Sequence, residues 1–283
     1  MNAIAERTRF SGIDRLYGAG SVERLSRAHV CIVGVGGVGS WAAEALARSG
    51  LGRLTLIDAD DICVSNVNRQ LHALDGEFGR LKVEVLAERL KRINPDIQVD
   101  ALAQFLTPST LDPLLLRGYD AVLDACDAFR VKVEMIAFCR RRKIPIVVSG
   151  SAGGRADPTL IEVRDLSRTE HDALLALVRK KLRGEFSFPK NRDRYFGVSA
   201  VFSRENVRYP QADGSVCGLR PEGGDSLGLD CGGGLGAATH VTASFAFAAV
   251  GKLLEKLLRS EAAPKAAGAV SRESAQQTPS RLA

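Results

Sequence analysis

The run Gly34-Val35-Gly36-Gly37-Val38-Gly39 sets glycines at the spacing that lets a backbone close on a phosphate chain. Between an apolar strand and a helix, its amides and the helix N-terminus face a polyphosphate, and the missing side chains allow close approach. By itself the turn suits ATP and NAD equally. Asp58 ends the next apolar run, residues 54–57, where an acid accepts hydrogen bonds from a ribose. The residues that discriminate between the two nucleotides come next: Asp60, Asn66 and Arg69, then Lys82 and Asp127. Hydride transfer needs no such set. Phosphoryl chemistry needs cations against the triphosphate and a carboxylate for the magnesium ion that bridges its oxygens. Arg69 offers a planar fork of donors, Lys82 a point charge, and Asp127 the carboxylate for the metal. Taken singly, Lys82 reads as a helix-surface residue, Asp127 as a helix cap and Asp60 as part of a solvated turn. Together in one β-α-β frame they favour the nucleotide reading.

The hydrophobic pattern supplies the frame. Residues 29–33 are a β-branched run entering the glycine turn, and 40–48 carry small and apolar residues at helical spacing. With 54–57 they make a β-α-β unit with parallel strands. Val83, Leu86, Leu90 and Ile93 share one helical face, which Asn94-Pro95 closes. Further strands fit 97–101, 121–124 and 144–148, alternating with helical patterns at 109–116 and 131–141. The expected fold class is α/β, a Rossmann-like doubly wound sheet over residues 1–150 that carries the ATP-binding region, with an elaborated C-terminal half. In that half, 151–258, glycines and basic clusters surround short strands at 159–163 and 198–202. A closing helix at about 237–257 turns its Phe245 and Phe247 region inward. Substrate binding and dimerisation are expected here, since irregular segments on a rigid sheet collect binding residues. Residues 259–283 have the composition of a disordered tail.

At 283 residues and 45% hydrophobic content, the chain can bury a sizeable core. Lys and Arg outnumber Asp and Glu by 39 to 33, and this +6 excess suits an anionic partner such as nucleic acid. Cysteines at 31, 63, 126, 139, 217 and 231 include no Cys-x-x-Cys pair, which argues against a zinc ribbon. The N-terminus lacks the apolar core of a secretory signal, so a cytoplasmic, reducing location with free thiols is expected. The best membrane candidate, 237–250, is interrupted by Thr239, His240, Thr242 and Ser244, and Lys252 ends it short of about 20 residues. It reads as a buried or surface-lying helix, and no stable membrane span is expected.

Residues 34–40, 58–70, Lys82, Ile93-Asn94-Pro95 and Val122-Leu-Asp-Ala-Cys-Asp127 resemble the adenylating superfamily of ubiquitin-activating, molybdopterin-synthase-activating and thiazole-biosynthesis enzymes (ThiF/MoeB-type). Within it, Arg15-Leu-Tyr-Gly18, Cys139-Arg-Arg-Arg-Lys-Ile-Pro145, Gly150-Ser-Ala-Gly-Gly154 with Asp157-Pro158, Tyr209-Pro-Gln-Ala-Asp-Gly214, Asp230-Cys231 and Gly236-Ala-Ala-Thr239 resemble the tRNA threonylcarbamoyladenosine dehydratases. The resemblance implies ATP-dependent cyclisation of the threonylcarbamoyl group on the adenosine beside the tRNA anticodon, through an acyl-adenylate. It also implies that Arg69, Lys82 and Asp127 bind ATP with magnesium, that Asp58 and Asn66 hold the ribose and nearby phosphate region, and that Arg15 reaches the triphosphate from the partner of a homodimer. The absent cysteine pairs depart from the molybdopterin and thiazole branches, which activate the C-terminus of a ubiquitin-like sulfur carrier, and agree with the dehydratases.

Two other readings share the glycine turn: an NAD-dependent oxidoreductase, supported by the turn and Asp58, and a catalytically silent, nucleotide-bound partner in a sulfur-transfer complex. A cysteine desulfurase or sulfur acceptor is a candidate partner on that account. Cys231, in a Gly-rich stretch, fits either a thiol in sulfur relay or a small residue beside a turn. Arg140-Arg-Arg-Lys143 fits a tRNA backbone or a solvated helix end. Residues 179–194 mix cations with Phe186 and Phe188, and Tyr195 and Phe196 follow; the set suits either base stacking or an ordinary core.

Overall fold

The computed structural model describes residues 9–219 and 235–259. Two short helices, α1 (Ser11–Tyr17) and α2 (Ser21–Arg27), lead to β1 (His29–Val33), whose five residues are all buried. A strand covered on both faces belongs inside a parallel sheet with helices on each side. The chain continues through α3 (Gly39–Arg48), β2 (Arg53–Ile57), α4 (Lys82–Ile93), β3 (Gln98–Leu102), α5 (Leu111–Leu115), β4 (Ala121–Asp124), α6 (Phe129–Arg141) and β5 (Ile146–Ser149). After these come β6 (Ile161–Asp165), α7 (Ala173–Glu185), β7 (Ser199–Ser203), the two-residue strands β8 (Tyr209–Pro210) and β9 (Val216–Cys217), and α8 (Thr239–Arg259).

Among the described residues, seven strands form one sheet in the order β3-β2-β1-β4-β5-β7-β6. Six run parallel, and β6 alone is antiparallel to its neighbour β7. The chain leaves β1 in one direction through β2 and β3, then returns to β4 on the other side. The crevice beyond the C-terminal ends of β1 and β4 is therefore the switch point, where an open α/β sheet takes its ligand. The α/β doubly wound class expected from the pattern is the observed one, and the sheet runs on past residue 150 through β7 and β6.

Each face of the sheet carries its own core. On one, Leu46 of α3, Leu86 of α4 and Phe245, Ala249 and Leu253 of α8 cover Ile32, Leu54 and Leu123. On the other, Leu114 of α5, Ile136 of α6 and Leu175 and Leu182 of α7 cover Val33, Val148 and Phe202. Helix α8 differs from expectation at one residue. Phe245 is fully buried, but Phe247, two residues and about 200° further round the helix, is half exposed and meets Trp41 edge-on at 6.3 Å.

Candidate active site

The glycine turn stands at the switch point. Gly34 adopts φ +83, its amide donates to the Ile57 carbonyl at 2.9 Å, and a Cβ there would lie 2.9 Å from the Cys126 nitrogen. Only glycine fits that φ at so close an approach. A Cβ on Gly39 would lie 1.8 Å from the Gly34 carbonyl oxygen, so α3 begins flush against the turn. At Gly36 an added Cβ would stand 3.6 Å from Gln70 Nε2, and at Gly37 3.2 Å from Thr242 Cγ2. The turn is thus bounded by the loop after β4, the segment after β2, and the first turn of α8.

Asp58 follows β2 and faces this turn. One carboxylate oxygen accepts from the Val35 amide at 2.8 Å, the other from the Asp60 amide at 2.9 Å. Burial pushes the Asp58 carboxyl up, against the pull of those amides and of the nearby Lys82 ammonium. Lys82, in the first turn of α4, is buried, and its Nζ donates to Asp60 Oδ2 at 2.8 Å. Asp60 itself is largely exposed and holds the ammonium extended. Buried Asn66 accepts from the Cys63 amide at 3.1 Å and closes a short helical turn, Val64–Asn66. Arg69 leaves that turn with one guanidinium nitrogen, Nη1, bonded to the Ser65 carbonyl at 2.8 Å and Asn68 Oδ1 at 3.0 Å. Its other guanidinium nitrogens have no partner among the described residues. Its backbone carbonyl accepts from Trp41 Nε1 at 3.1 Å, which ties the segment to α3.

Asp127 is exposed on the loop between β4 and α6, beside Gly34. It caps no helix, since α6 begins at Phe129 without a side-chain cap, and it forms no ion pair among the described residues. No group of three or more His, Cys, Asp or Glu positioned to hold a metal occurs among those residues. A lone carboxylate beside the glycine turn could hold a magnesium ion only with ligands supplied from outside the chain.

Behind this loop lies a pair that the sequence pattern left unmarked. Lys132 Nζ reaches Asp124 Oδ1 at 2.7 Å and the Ser149 carbonyl at 3.0 Å, with both side chains fully buried. Asp124 also accepts from the Cys126 amide and thiol, each at 3.2 Å, while its Oδ2 is buried without a partner. Burial alone would lower the Lys132 ammonium, but the adjacent Asp124 carboxylate outweighs this and holds it above its ordinary value. Burial, reinforced by Asp124, pushes the Cys126 thiol well up, so it serves as a weak donor and not as a nucleophile. The available signal was a lysine on the face that Met135, Ile136 and Cys139 bury.

His72 is a second buried polar group near Lys82. Its Nε2 meets Gln70 Oε1 at 3.1 Å, and its Nδ1 is buried without a partner. Burial, aided by the Lys82 charge, lowers its pKa to about 4 from the ordinary 6.5. A histidine that stays neutral in the fold contributes stability above pH 6.5, and this is lost as the pH falls from 6.5 towards 4, where only the unfolded chain takes up the proton. Denaturant titrations should show stability falling across that window by about 3 kcal/mol, and His72→Asn should flatten the fall. An unchanged profile in the variant would refute the assignment.

The second half closes the site from the side of β5. Asp172, at the N-terminus of α7, accepts from the Ser151 and Leu175 amides at 2.8 Å each, which fixes the glycine-rich loop after β5. Arg15 is not brought to the other candidates within one chain. It is exposed on α1, bonded to Ser11 Oγ at 3.3 Å. Asp230, Cys231 and the tail lie outside the described residues. No described helix is long and apolar enough to cross a membrane.

The model of the ThiF family matches residues 11–274. The tRNA threonylcarbamoyladenosine dehydratase of Escherichia coli K12 is 49% identical, over 90% of this chain and 95% of that protein. The enzyme of the same name from Haemophilus influenzae is also 49% identical, over 89% of this chain and 94% of its own length. A crystal structure of the E. coli tRNA N6-threonylcarbamoyladenosine dehydratase in complex with ATP superposes with a TM-score of 0.79 at 46% identity, covering 90% of this chain and 95% of that one.

Proposed function

The chain belongs to the ThiF family, in its tRNA threonylcarbamoyladenosine dehydratase branch, and on that premise we propose that it is an ATP-dependent enzyme that cyclises threonylcarbamoyladenosine beside the tRNA anticodon. The observation that carries this reading is the convergence of the glycine turn, Asp58, Arg69, Lys82 and Asp127 on the ends of β1, β2 and β4. Backbone amides of the turn and the start of α3 face the phosphates. Arg69 and Lys82 neutralise them, the Lys82 ammonium from a buried position. Asp58 takes the ribose, and Asn66 holds the segment that presents Arg69. Asp127 would hold a magnesium ion, which would supply positive charge against the triphosphate.

The reaction follows from that placement. The substrate carboxylate attacks the α-phosphorus, an acyl-phosphate bond forms, and the α–β phosphoanhydride breaks to release pyrophosphate. The side chain's own nitrogen or oxygen then attacks the activated carbonyl, closes a ring and expels AMP. Tethering favours this step, because a held nucleophile has a large effective concentration. The chain works in the cytoplasm, where its tRNA is found. Release of AMP and pyrophosphate should require magnesium and threonylcarbamoylated tRNA together, and absence of release with that RNA would overturn the reading.

The same reading makes the enzyme a homodimer in which Arg15 serves the partner's triphosphate. Its support is the exposed position of Arg15, whose guanidinium bonds to Ser11 within its own helix, together with large exposed apolar side chains on Leu16 and Val64. Mixing Arg15→Ala chains with Lys82→Ala chains should restore about a quarter of wild-type turnover through one intact site per hetero-dimer, with half of the dimers mixed. A mixture no more active than its parents would exclude the arrangement.

A further inference from the structure

The basic segments that the sequence separates are assembled by the fold on one edge of the sheet, opposite the nucleotide. Strands β5 and β7 begin at this edge, and β6 ends there. The last turn of α6 delivers Arg140 and Arg141 to it, followed by Arg142 and Lys143. The loop between α7 and β7 brings Lys190, Arg192 and Arg194. The two segments meet where the Arg140 guanidinium stands 3.1 Å from the Cβ position of Gly197. The length of α8 measures the separation from the glycine turn. Thr242 in its first turn touches Gly37, Lys252 and Lys256 line a pocket with Asp165 and Gly197, and the ten to fourteen residues between them span about 15–21 Å.

These cations are not neutralised locally. Among the described residues none of those seven forms an ion pair. Of the neighbouring acids, Asp165 is engaged by the Phe196, Gly197 and Val198 amides at 2.9, 2.7 and 3.1 Å, and Glu185 pairs with Lys181. Asp193 alone stands among the cations. The aromatics divide sharply. Phe196 is buried edge-on against Phe188 at 5.0 Å and belongs to the core, whereas Tyr195 is 66% exposed with the Arg168 guanidinium 5.0 Å over its ring. Arg168 is fixed in turn by the Asp193 carbonyl at 3.0 Å. An exposed ring backed by a guanidinium and bordered by cations without ion pairs has the chemistry that grips a phosphate backbone and stacks one unpaired base.

We propose that this edge is a second contact for the substrate tRNA, holding its phosphate backbone outside the anticodon arm while the modified base occupies the nucleotide end. The proposal rests on the functional reading above. It follows from distance: the cations lie too far from the glycine turn to touch the reacting adenosine, and an RNA that reaches both must run along the flank of β5, β7 and β6.

The test uses the full chain carrying Arg142→Glu, Arg192→Glu and Arg194→Glu together, with Tyr195→Ala as a separate variant. Binding is measured by filter retention over a salt series, with intact tRNA and with its isolated anticodon stem-loop. Wild-type protein should bind intact tRNA at least tenfold more tightly than the stem-loop. The triple variant should lose that advantage, and its slope of log affinity against log salt should fall by about 2 to 3, close to one unit per phosphate contact removed. Stem-loop affinity and ATP binding should not change. Tyr195→Ala should weaken intact tRNA about fivefold without altering the slope. Equal weakening of both RNAs would assign the edge to the anticodon arm and overturn the proposal, as would no change in either. Loss of binding to phosphatidylserine-containing vesicles with tRNA binding intact would assign the edge to a lipid surface instead. Active wild-type enzyme with an unaffected triple variant defeats this proposal alone. Wild-type protein that binds neither RNA defeats the functional reading as well.

Discussion

Lys82→Ala is expected to lower the rate of AMP formation by about 10²- to 10³-fold, the usual loss when one fixed charge is removed from a preorganised site. The size follows from where the ammonium sits. Lys82 is 7% exposed, so its field is little screened, and Asp60 already holds it in the extended pose. Folding should be almost untouched, because the Asp60 carboxylate left behind is 55% exposed and regains water. Pyrophosphate release and thermal denaturation measured on the same preparation separate the two effects. Lys82→Arg should recover part of the rate, since it restores charge in a different shape. Unaltered turnover in Lys82→Ala would remove the residue from the phosphate site and with it the main support for adenylation.

The second large effect falls on stability. Lys132→Met removes the only cation paired with Asp124 among the described residues and leaves a carboxylate with no exposure and a second oxygen already lacking a partner. Breaking a buried pair in this way costs about 3–5 kcal/mol, and Tm should fall by roughly 10 °C. Asp124→Leu combined with Lys132→Met should lie well above the sum of the single losses, because an apolar replacement buries no unpaired charge. Additive losses would show that the pair does not act as a unit. The pair ties the end of β4 to α6 and to the end of β5, so the milder Lys132→Arg variant should still fold and should raise the magnesium concentration needed for half-maximal rate through displacement of Asp127.

The contrast between Lys82 and Lys132 shows what can be read from a sequence. Lys82 follows a motif, and its role depends on neighbours within one β-α-β unit. Lys132 acquires its partner only when α6 folds back on β4, and on paper it is one more cation in a charged helix. Strands β1 and β4 were legible to the residue because each is a short apolar run buried on both faces whose polar residue, His29 or Asp124, stands at one end. Helix α7 was missed. Its buried positions Leu175, Val178 and Leu182 are separated by Arg179, Lys180 and Lys181, and the cations masked the period. Asp172, accepting from the Leu175 amide, was the cap that marked its start. The reversal of β6 left no local trace, because strand direction is decided by where the connection must land. Phe247 was misplaced because two residues of the same type, two positions apart on a helix, cannot share a face.

The packing of α8 has a consequence for how the molecule is made. Phe245, Ala249 and Leu253 complete the same core as Leu25, Ile32 and Leu46, so residues about 200 positions apart must meet before that face of the sheet is dry. While the chain is still emerging from the ribosome, α3 and α4 have no cover for this surface, and the early β-α-β units stay exposed to aggregation until the last helix is synthesised.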